Sequence, residues 1–446
     1  MQTLKDLAVL CTSTCTSKDG STEISGITLQ SAAVQPGDMF AALPGLHVHG
    51  AHFVEDACQR GASAVLTDPE GARIVASTGV NNIPLLVVDD IRAVLGRVSA
   101  AIYGNPSYDV PVIGITGTSG KTTTSYLIES AFRTAGHSVG MIGTTGSRIN
   151  DVRVPSSLTT PEAPDLQRLF ATMRDDGVHR IVMEVSSHSL LLGRVGGTRF
   201  RIGAFLNLSQ DHLDFHHTME EYFQAKARLF TKDSGTCCDR AVICIDDSWG
   251  LRMRDIAEAS GCTPVTVSTT GNADYSACPS SIADDGTQQC VITDPQGNEH
   301  KLVLPMPGRF NVANALVALA VSELAGLPIE DALAGIAHVV VPGRLQRIDE
   351  GQDYLAIVDY AHKPAAVAAV IATLRSEIKG RLCVVLGAGG DRDASKRAIM
   401  GREAARGSDL FIVTDDNPRS EDPAVIRAAV EAGAYELPTE ERGEVR

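Results

Sequence analysis

The chain has few aromatic residues, no C-x-x-C cysteine pair and no long apolar run. Aromatic side chains make up 4% of its 446 residues, so its cores must be built mainly from Ala, Val, Leu and Ile. The ten Cys form no C-x-x-C pair, which excludes the common zinc and redox patterns. No stretch approaches the ~20 apolar residues of a membrane span, and the start lacks the features of a signal peptide. We therefore expect a cytoplasmic protein without membrane insertion.

Positive charge is also scarce. The 54 acidic residues outnumber the 39 Lys and Arg, which gives a net charge of −15. Because non-specific binding to nucleic acid needs clustered cations, we expect no nucleic-acid partner. The 43% of apolar and 21% of charged residues are typical of a globular chain.

Three blocks can be distinguished along the chain. Residues 1–107 alternate short apolar runs with helical stretches and end in a turn signal at residues 103–106. Residues 108–341 begin with a buried strand, a Gly-rich turn and a helix, which predicts a central α/β domain with a parallel sheet, and an antiparallel insertion is expected between about 265 and 305. Residues 342–446 again alternate strands and helices, which predicts a second, Rossmann-like sheet.

The strongest local signal is a phosphate-binding loop at the start of the central block. Its spacing, G-x-x-G-K-T-T, is tighter than the general P-loop pattern, which requires Gly at the position of Ile115. Glycines let backbone N–H groups turn towards phosphate, and the following helix N-terminus adds partial positive charge. Lys121 is expected to bind the β- and γ-phosphates of a nucleotide, and Thr122 a Mg²⁺ ion. The loop comprises Gly117, Thr118, Ser119, Gly120, Lys121, Thr122 and Thr123.

Further candidates follow or lie near predicted strands. Apolar residues 181–183 place Glu184 at the carboxyl end of a strand, where ligands bind in parallel sheets, and Mg²⁺ combines few carboxylates with phosphate oxygens. A cluster of His and Asp, residues 211–216, follows another strand. Lys226 falls within an apolar helical stripe, which is costly for a cation unless it reaches the surface or is altered. Either a surface lysine or one facing the metal site fits this pattern.

Together these motifs resemble those of a known family, the Mur ligases. In order, the matching segments are 117–123 (GTSGKTT), 183–188 (MEVSSH), 211–216 (DHLDFH), 225–226 (AK) and 308–315 (GRFNVANA). Segments 358–364 (VDYAHKP) and 389–397 (GGDRDASKR) resemble the members that add the third residue of the peptidoglycan stem. The resemblance implies three domains: UDP-binding (1–107), ATP-binding (108–341) and amino-acid-binding (342–446).

The resemblance also implies the reaction. ATP would phosphorylate the D-Glu carboxylate of UDP-MurNAc-L-Ala-D-Glu, and the amine of the incoming amino acid would attack the acyl phosphate. By the same resemblance, Lys226 corresponds to a carbamylated lysine, and Glu184 and His212 to metal ligands beside Thr122. The partners expected are ATP, the UDP-muramyl dipeptide and meso-diaminopimelate, with Mg²⁺ as cofactor and a monomeric enzyme.

The resemblance assigns the remaining site residues by position. Nucleotide contacts are Asn311, Asn314 and Arg344, and UDP contacts are Leu29, Ser31, Leu46, His47 and Val48. Muramyl-dipeptide contacts are Thr159, Thr160, Ser186 and Arg194. Amino-acid contacts are Arg392, Asp416, Asn417, Pro418 and Arg419. Arg419 could clamp the distal carboxylate of meso-diaminopimelate and repel the ammonium of lysine. The alternative is a loop-capping pair between Arg419 and Glu421.

Two further motifs that family members carry near the C-terminus, D-R-x-x-A-I and G-K-G-H-E, do not occur in this chain. We therefore expect a truncated chain with an incomplete C-terminal domain. The alternatives are a catalytically impaired protein that binds nucleotide and UDP-sugar, an L-lysine-adding ligase, a folylpolyglutamate synthetase and a GTPase switch. The last is disfavoured because no Asn-Lys-x-Asp guanine motif is present.

Overall fold

A computed structural model of the chain describes residues 2–12, 20–45, 47–80, 82–150, 152–154, 158–278, 281–282, 287–377, 380–391 and 393–446. The chain divides into two compact units, one formed mainly by the residues up to 339 and the other mainly by residues 340–446. Among the described residues, no helix combines the length and apolar character needed to cross a bilayer.

The N-terminal part of the first unit is built on a small parallel sheet. Its four strands, in spatial order, are Gly26–Thr28, Asp38–Ala41, Ala64–Thr67 and Leu85–Val87. Its helices are Leu4–Leu10, Val54–Gln59, Pro69–Ser77, Ile91–Ile102 and Pro106–Asp109. Gln2–Thr3 pairs with Glu23–Ile24 as a short antiparallel ribbon. The strands carry apolar residues on both faces, as expected for a parallel sheet covered by helices.

The central sheet is much larger. Eleven of its strands follow the spatial order Val152–Val154, Gly146–Ile149, Val139–Gly143, Arg180–Glu184, Val112–Thr116, Phe200–Phe205, Arg240–Cys244, Val265–Ser268, Tyr275–Ala277, Gln288–Thr293 and Ser281–Ile282. A twelfth, Glu299–Leu304, pairs with Gln288–Thr293. The middle strands are parallel and both ends are antiparallel. The expected antiparallel insertion is confirmed for Gln288–Thr293, which pairs antiparallel with both Tyr275–Ala277 and Ser281–Ile282, whereas Val265–Ser268 extends the parallel part.

The parallel strands determine where the central site forms. Val112–Thr116 lies between Arg180–Glu184 and Phe200–Phe205, with Glu184 opposite Ile115 and Phe205 opposite Thr116. The carboxyl ends of these three strands therefore meet at one edge, where α/β proteins bind their ligands. The helices of this part are Lys121–Thr134, Ala163–Asp175, Ser187–Leu191, Leu213–His216, Met219–Ala227, Ser248–Ala259, Arg309–Leu324 and Ile329–Ile336.

The second unit contains a three-stranded parallel sheet of Cys383–Leu386, Leu410–Val413 and Glu444–Val445. Helices Pro364–Glu377, Lys396–Gly407 and Pro423–Tyr435 accompany it, and Met400, Phe411 and Val430 are buried in its core. The sequence also predicts a strand at Tyr354–Val358 as part of the Rossmann-like sheet of this block. In the structure, Ala356–Val358 instead pairs antiparallel with Gln346–Ile348.

Candidate active site

The phosphate loop joins strand Val112–Thr116 to helix Lys121–Thr134. Gly120 precedes the helix with φ of +89°, a left-handed conformation that favours glycine. A Cβ at this position would also lie 2.3 Å from Asn314 Oδ1. Glycine is therefore required here by both the backbone conformation and the close neighbour.

The loop is fixed to the neighbouring strand end by Asn207. Asn207 O accepts from the Thr118 N–H at 3.0 Å, and Asn207 Oδ1 accepts from the Ser119 N–H at 3.0 Å. Lys121 Nζ folds back over the loop and donates to Gly117 O at 2.8 Å and Thr118 O at 3.2 Å. The sequence analysis did not select Asn207, and its only signal was its position just past a buried strand.

Glu184 meets the loop at the carboxyl end of its strand. Its side chain is buried, and its Oε1 accepts from Thr122 Oγ1 at 2.9 Å. Thr144 donates to both carboxylate oxygens, from N to Oε1 at 2.9 Å and from Oγ1 to Oε2 at 3.0 Å. The structure therefore brings together two of the four predicted metal ligands. Thr123, the last residue of the predicted phosphate motif, is also buried.

Lys226 is buried beside the same loop. It is 1% exposed, its Nζ donates to Gly117 O at 2.9 Å, and it lies 4.5 Å from the centre of the Tyr222 ring. The Tyr222 hydroxyl in turn lies 3.2 Å from Thr118 Oγ1. The alternative of a lysine that extends to the surface is therefore wrong.

A histidine cluster lies next to Tyr222. The His188 and His212 rings are 4.9 Å apart, and His212 Nε2 is 3.1 Å from Asp211 Oδ2. His216 is buried with Nε2 2.8 Å from Ser187 Oγ. Burial lowers the pKa of His216 to about 4, and the charges of His188 and Lys226 add to this effect. His216 is therefore neutral at pH 7.

Of the four predicted metal ligands, Thr122 and Glu184 are in direct hydrogen-bond contact. Among the residues that the structure describes, no group of three or more His, Cys, Asp or Glu could hold a metal ion alone. The adjacent oxygens of Thr122 and Glu184 nevertheless fit Mg²⁺, which in nucleotide sites combines few protein oxygens with phosphate oxygens.

A cavity of about 340 Å³ opens beside the loop. Its lining includes Asn207, Arg309, Phe310 and Asn314. Asn314 Nδ2 lies 3.4 Å from Asn311 Oδ1, and both side chains are buried. The two predicted asparagines thus lie together, and Asn314 lines the cavity next to the phosphate loop.

Three of the predicted muramyl-dipeptide contacts lie around the Glu184 strand end. Thr160 Oγ1 donates to Glu184 O at 2.9 Å, and Thr159 Oγ1 lies 3.4 Å from Thr144 Oγ1. Ser186 caps helix Ser187–Leu191 by accepting from the Ser189 N–H.

Arg194, the fourth of these contacts, is ion-paired within the first unit. Its Nε lies 2.8 Å from Glu162 Oε1, and Arg92 Nη1 lies 3.2 Å from Glu162 Oε2. The Glu162 carboxylate thus forms ion pairs with two guanidinium groups.

The predicted UDP contacts lie in the N-terminal part. Leu29 follows strand Gly26–Thr28 and packs against the local core, and Ser31 begins a short 3₁₀ turn. His47 and Val48 are exposed, and Leu46 lies outside the described residues.

The predicted amino-acid contacts lie in the second unit. Gly390 N donates to Asn417 O at 2.8 Å, and Arg419 Nη1 donates to Gly390 O at 2.6 Å. Asp416 is exposed and Pro418 half-buried, and Arg392 lies outside the described residues. Separately, the Arg344 guanidinium stacks on Tyr360, 4.3 Å from the ring centre.

Glu421 does not pair with Arg419. Instead Arg397 donates to both of its oxygens, at 2.9 Å and 2.8 Å. The alternative in which Arg419 caps the loop through Glu421 is therefore wrong.

Comparison with known proteins connects this geometry to a family. Residues 115–322 match the Mur ligase middle domain, residues 343–445 the Mur ligase glutamate ligase domain, and residues 23–103 the catalytic domain of the Mur ligase family.

Two curated relatives are UDP-N-acetylmuramoyl-L-alanyl-D-glutamate--2,6-diaminopimelate ligases. The one from Corynebacterium glutamicum is 55% identical over 94% of this chain and 80% of its own length. The one from Streptomyces coelicolor is 50% identical over 96% of this chain and 83% of its own length.

A solved structure with the same enzyme name is similar over 99% of this chain and 88% of its own, with a TM-score of 0.74 and 31% identity. A folylpolyglutamate synthase from Mycobacterium tuberculosis shares the fold over 78% of this chain and 84% of its own, with a TM-score of 0.63 and 20% identity. The matched domains, the identities and the site geometry lead to one conclusion: the chain belongs to the Mur ligase family.

Proposed function

We propose that this protein joins meso-diaminopimelate to the D-Glu of UDP-N-acetylmuramoyl-L-Ala-D-Glu at the expense of ATP, in peptidoglycan synthesis. The observation that carries the proposal is the burial of Lys226 against Gly117 of the phosphate loop. A simple nucleotide switch has no need of a second lysine there. The 50–56% identity to relatives named for this reaction supports the same substrates.

The chemistry explains why both a phosphate loop and extra charge are needed. A carboxylate is inert to amines until one of its oxygens becomes a good leaving group. Transfer of the γ-phosphoryl group of ATP to the D-Glu carboxylate forms an acyl phosphate. Attack of the amine gives a tetrahedral intermediate, which releases phosphate and leaves the amide. Phosphoryl transfer requires two anions to be aligned, and Lys121 together with the loop N–H groups offsets their repulsion.

The same site would hold Mg²⁺ through Thr122 and Glu184, with His212 and a carbamylated Lys226 as further ligands. When bound, the ion supplies charge neutralisation and a fixed template for the phosphates. Carbamylation would convert the buried ammonium of Lys226 into an anionic oxygen ligand, which relieves the cost of burying a cation. The buried position of Lys226 next to Tyr222 and the loop supports this assignment.

The remaining assignments follow the three blocks of the chain. We propose UDP binding by residues 1–107, ATP and muramyl-dipeptide binding by residues 108–341, and meso-diaminopimelate binding by residues 342–446. In the central block, the cavity lined by Asn314 and Phe310 suits the nucleoside of ATP. Because ATP and UDP-linked precursors are cytoplasmic, we assign the enzyme to that compartment.

The decisive experiment follows an oxygen atom. The protein is supplied with ATP, Mg²⁺, meso-diaminopimelate and a UDP-muramyl dipeptide whose D-Glu side-chain carboxylate carries heavy oxygen. An acyl phosphate predicts one heavy oxygen in each phosphate released, together with a UDP-muramyl tripeptide. ATP hydrolysis without label transfer would refute the mechanism. Equal incorporation of L-lysine in a parallel reaction would refute the assigned amino acid.

A further inference from the structure

The turn Gly143–Gly146, between strands Val139–Gly143 and Gly146–Ile149, provides the seat of the Glu184 carboxylate. One residue of this turn, Thr144, contacts both carboxylate oxygens, through its N–H at 2.9 Å and its hydroxyl at 3.0 Å. Thr122 shares Oε1 with the Thr144 N–H. Two donors from Thr144 therefore determine the rotation of the carboxylate that faces the phosphate loop.

Gly143 leaves the space that this arrangement requires. A Cβ at Gly143 would lie 2.4 Å from Glu184 Oε1 and 3.0 Å from its Cδ. The carboxylate thus packs directly against the backbone of the turn. A movement of the turn would move Glu184.

The Gly143–Gly146 turn is itself held against helix Lys121–Thr134. Thr122, Tyr126 and Glu129 lie on one face of this helix, at intervals of four and three residues. The Tyr126 hydroxyl donates to Thr145 Oγ1 at 3.1 Å.

Arg148, on the second strand of the hairpin, completes the connection. Arg148 donates from Nε to Glu129 Oε1 at 2.9 Å and from Nη1 to the Tyr126 hydroxyl at 2.9 Å. The guanidinium also lies 4.3 Å from the Tyr126 ring centre, and Glu129 is buried.

We propose that Thr144 is a positioning residue for Glu184, and that Arg148, Glu129 and Tyr126 hold the turn that carries it. This inference rests on the proposed role of Glu184 as a ligand of nucleotide-bound Mg²⁺. A buried carboxylate held by two donors does not need to reorient when Mg²⁺ and phosphate arrive. Losing the hydroxyl of Thr144 should therefore weaken the metal-dependent part of nucleotide binding rather than nucleotide binding in general.

The first test uses ADP carrying a fluorescent ribose label, titrated with and without Mg²⁺. The dissociation constant without Mg²⁺ divided by the dissociation constant with Mg²⁺, here called the Mg²⁺ ratio, reports how much Mg²⁺ strengthens ADP binding. Thr144→Val keeps the side-chain shape and the N–H but removes the hydroxyl, and it should reduce this ratio about tenfold. Its affinity for ADP without Mg²⁺ should stay unchanged. Thr144→Ser restores the hydroxyl and should restore the ratio.

Ser130, on helix Lys121–Thr134, provides a matched control. Ser130 Oγ donates to Gly335 O at 2.7 Å, so Ser130→Ala also removes a hydroxyl hydrogen bond but does so away from Glu184. It should leave the Mg²⁺ ratio unchanged. An unchanged ratio in Thr144→Val, or an equal reduction in Ser130→Ala, would overturn the role of Thr144.

The second test separates positioning from stability. Arg148→Met leaves Glu129 buried without its cation, so it should lower both the unfolding temperature and the Mg²⁺ ratio. The double variant Glu129→Gln/Arg148→Met removes both charges. Most of the loss in unfolding temperature should be recovered in the double variant. Its Mg²⁺ ratio should stay reduced, because the hairpin still lacks the hydrogen bonds from Arg148 to Tyr126 and Glu129.

The outcomes distinguish the two levels of the proposal. Recovery of both quantities in the double variant would show that Arg148 acts only through stability, and it would overturn the positioning role of Arg148. A wild-type protein whose ADP affinity does not respond to Mg²⁺ would refute the proposed metal site itself, and the positioning role with it.

Discussion

The phosphate-loop region and the loop of residues 416–419 are built in opposite ways. Around the phosphate loop, the functional groups are buried or tied to several partners, as Glu184 and Lys226 illustrate. Residues 416–419 lie mostly in solvent, and the Arg419 guanidinium donates to one backbone carbonyl, that of Gly390. Glu184 and Lys226, which are assigned to phosphoryl transfer, are thus held in place before substrate binds. Arg419, which is assigned to the choice of amino acid, lies on an exposed loop.

This difference predicts different consequences of mutation. A group that must stabilise a developing charge works best when it does not reorganise, so changes near the phosphate loop should lower the rate steeply. A group that discriminates between two amino acids contributes only a difference of two affinities. Changes at residues 416–419 should therefore alter selectivity more than they alter phosphoryl transfer.

The largest effect is expected for Lys121→Ala. Without this cation the repulsion between the substrate carboxylate and the γ-phosphate is uncompensated, and ligation should fall on the order of a thousandfold. The measurement is the steady-state rate of phosphate release that depends on the UDP-muramyl dipeptide. Lys232→Ala, which removes an exposed lysine elsewhere in the same unit, should keep its activity. Near-normal turnover in Lys121→Ala would refute the claim that the groups around the phosphate loop are needed for phosphoryl transfer.

Lys226→Ala should follow, with a loss on the order of a hundredfold, since one metal ligand would be missing. The intact protein, measured gently by native mass spectrometry, should be heavier than its sequence by one carbon dioxide, and the variant should not. A small carboxylate added to the variant should restore part of the rate. An active wild-type protein that carries a free Lys226 ammonium would contradict carbamylation.

Arg419→Ala should have an intermediate effect confined to selectivity. Losing a charge-assisted pair with the distal carboxylate should decrease the preference for meso-diaminopimelate over L-lysine by about 2 kcal/mol. The measurement is the ratio of the two kcat/KM values. Arg427→Ala removes a half-buried arginine that pairs with Asp415 in the same unit, and it should leave the ratio unchanged. A large loss of ATP turnover in Arg419→Ala with both amino acids would contradict the claim that residues 416–419 affect selectivity more than phosphoryl transfer.

Local patterns in the sequence predicted the parts of the site that depend on neighbours along the chain. An apolar run, a Gly-rich turn and a helical pattern predicted the phosphate loop, and an apolar run predicted the strand that ends at Glu184. The position of Lys226 within an apolar stripe raised the question of its burial, which the structure answered.

Contacts between distant segments could not be predicted in this way. Asn207, Thr144 and Arg148 act through the spatial order of strands, which periodicity does not encode. The same limit applies to Ala356–Val358, whose apolar pattern fits a parallel and an antiparallel neighbour equally well. The partner of Glu421 was also missed, because Arg397 is 24 residues away along the chain.

The smallest effect should come from Glu421→Gln, which tests what holds the region around residues 416–419. Hydrogen bonds from Arg397, and then from the Asp391 N–H at 2.5 Å, lower the pKa of Glu421 below its ordinary value of 4.5. Folding therefore favours the ionised carboxylate. The stabilisation is present above the pKa of the unfolded state and is lost as the pH falls through the lower pKa of the folded state.

The variant cannot ionise at this position, so its unfolding midpoint should lie below that of the wild type at neutral pH. The gap should narrow as the pH falls below the pKa of the unfolded state and close once Glu421 is protonated in both the folded and the unfolded state. Glu431→Gln, an exposed change on helix Pro423–Tyr435, should show no such pH-dependent gap. A gap that is constant with pH would mean that the carboxylate shape, not its charge, holds the loop. The region around residues 416–419 would then not depend on an ionised carboxylate, whereas the phosphate-loop region holds the buried Glu184 carboxylate through three hydrogen bonds.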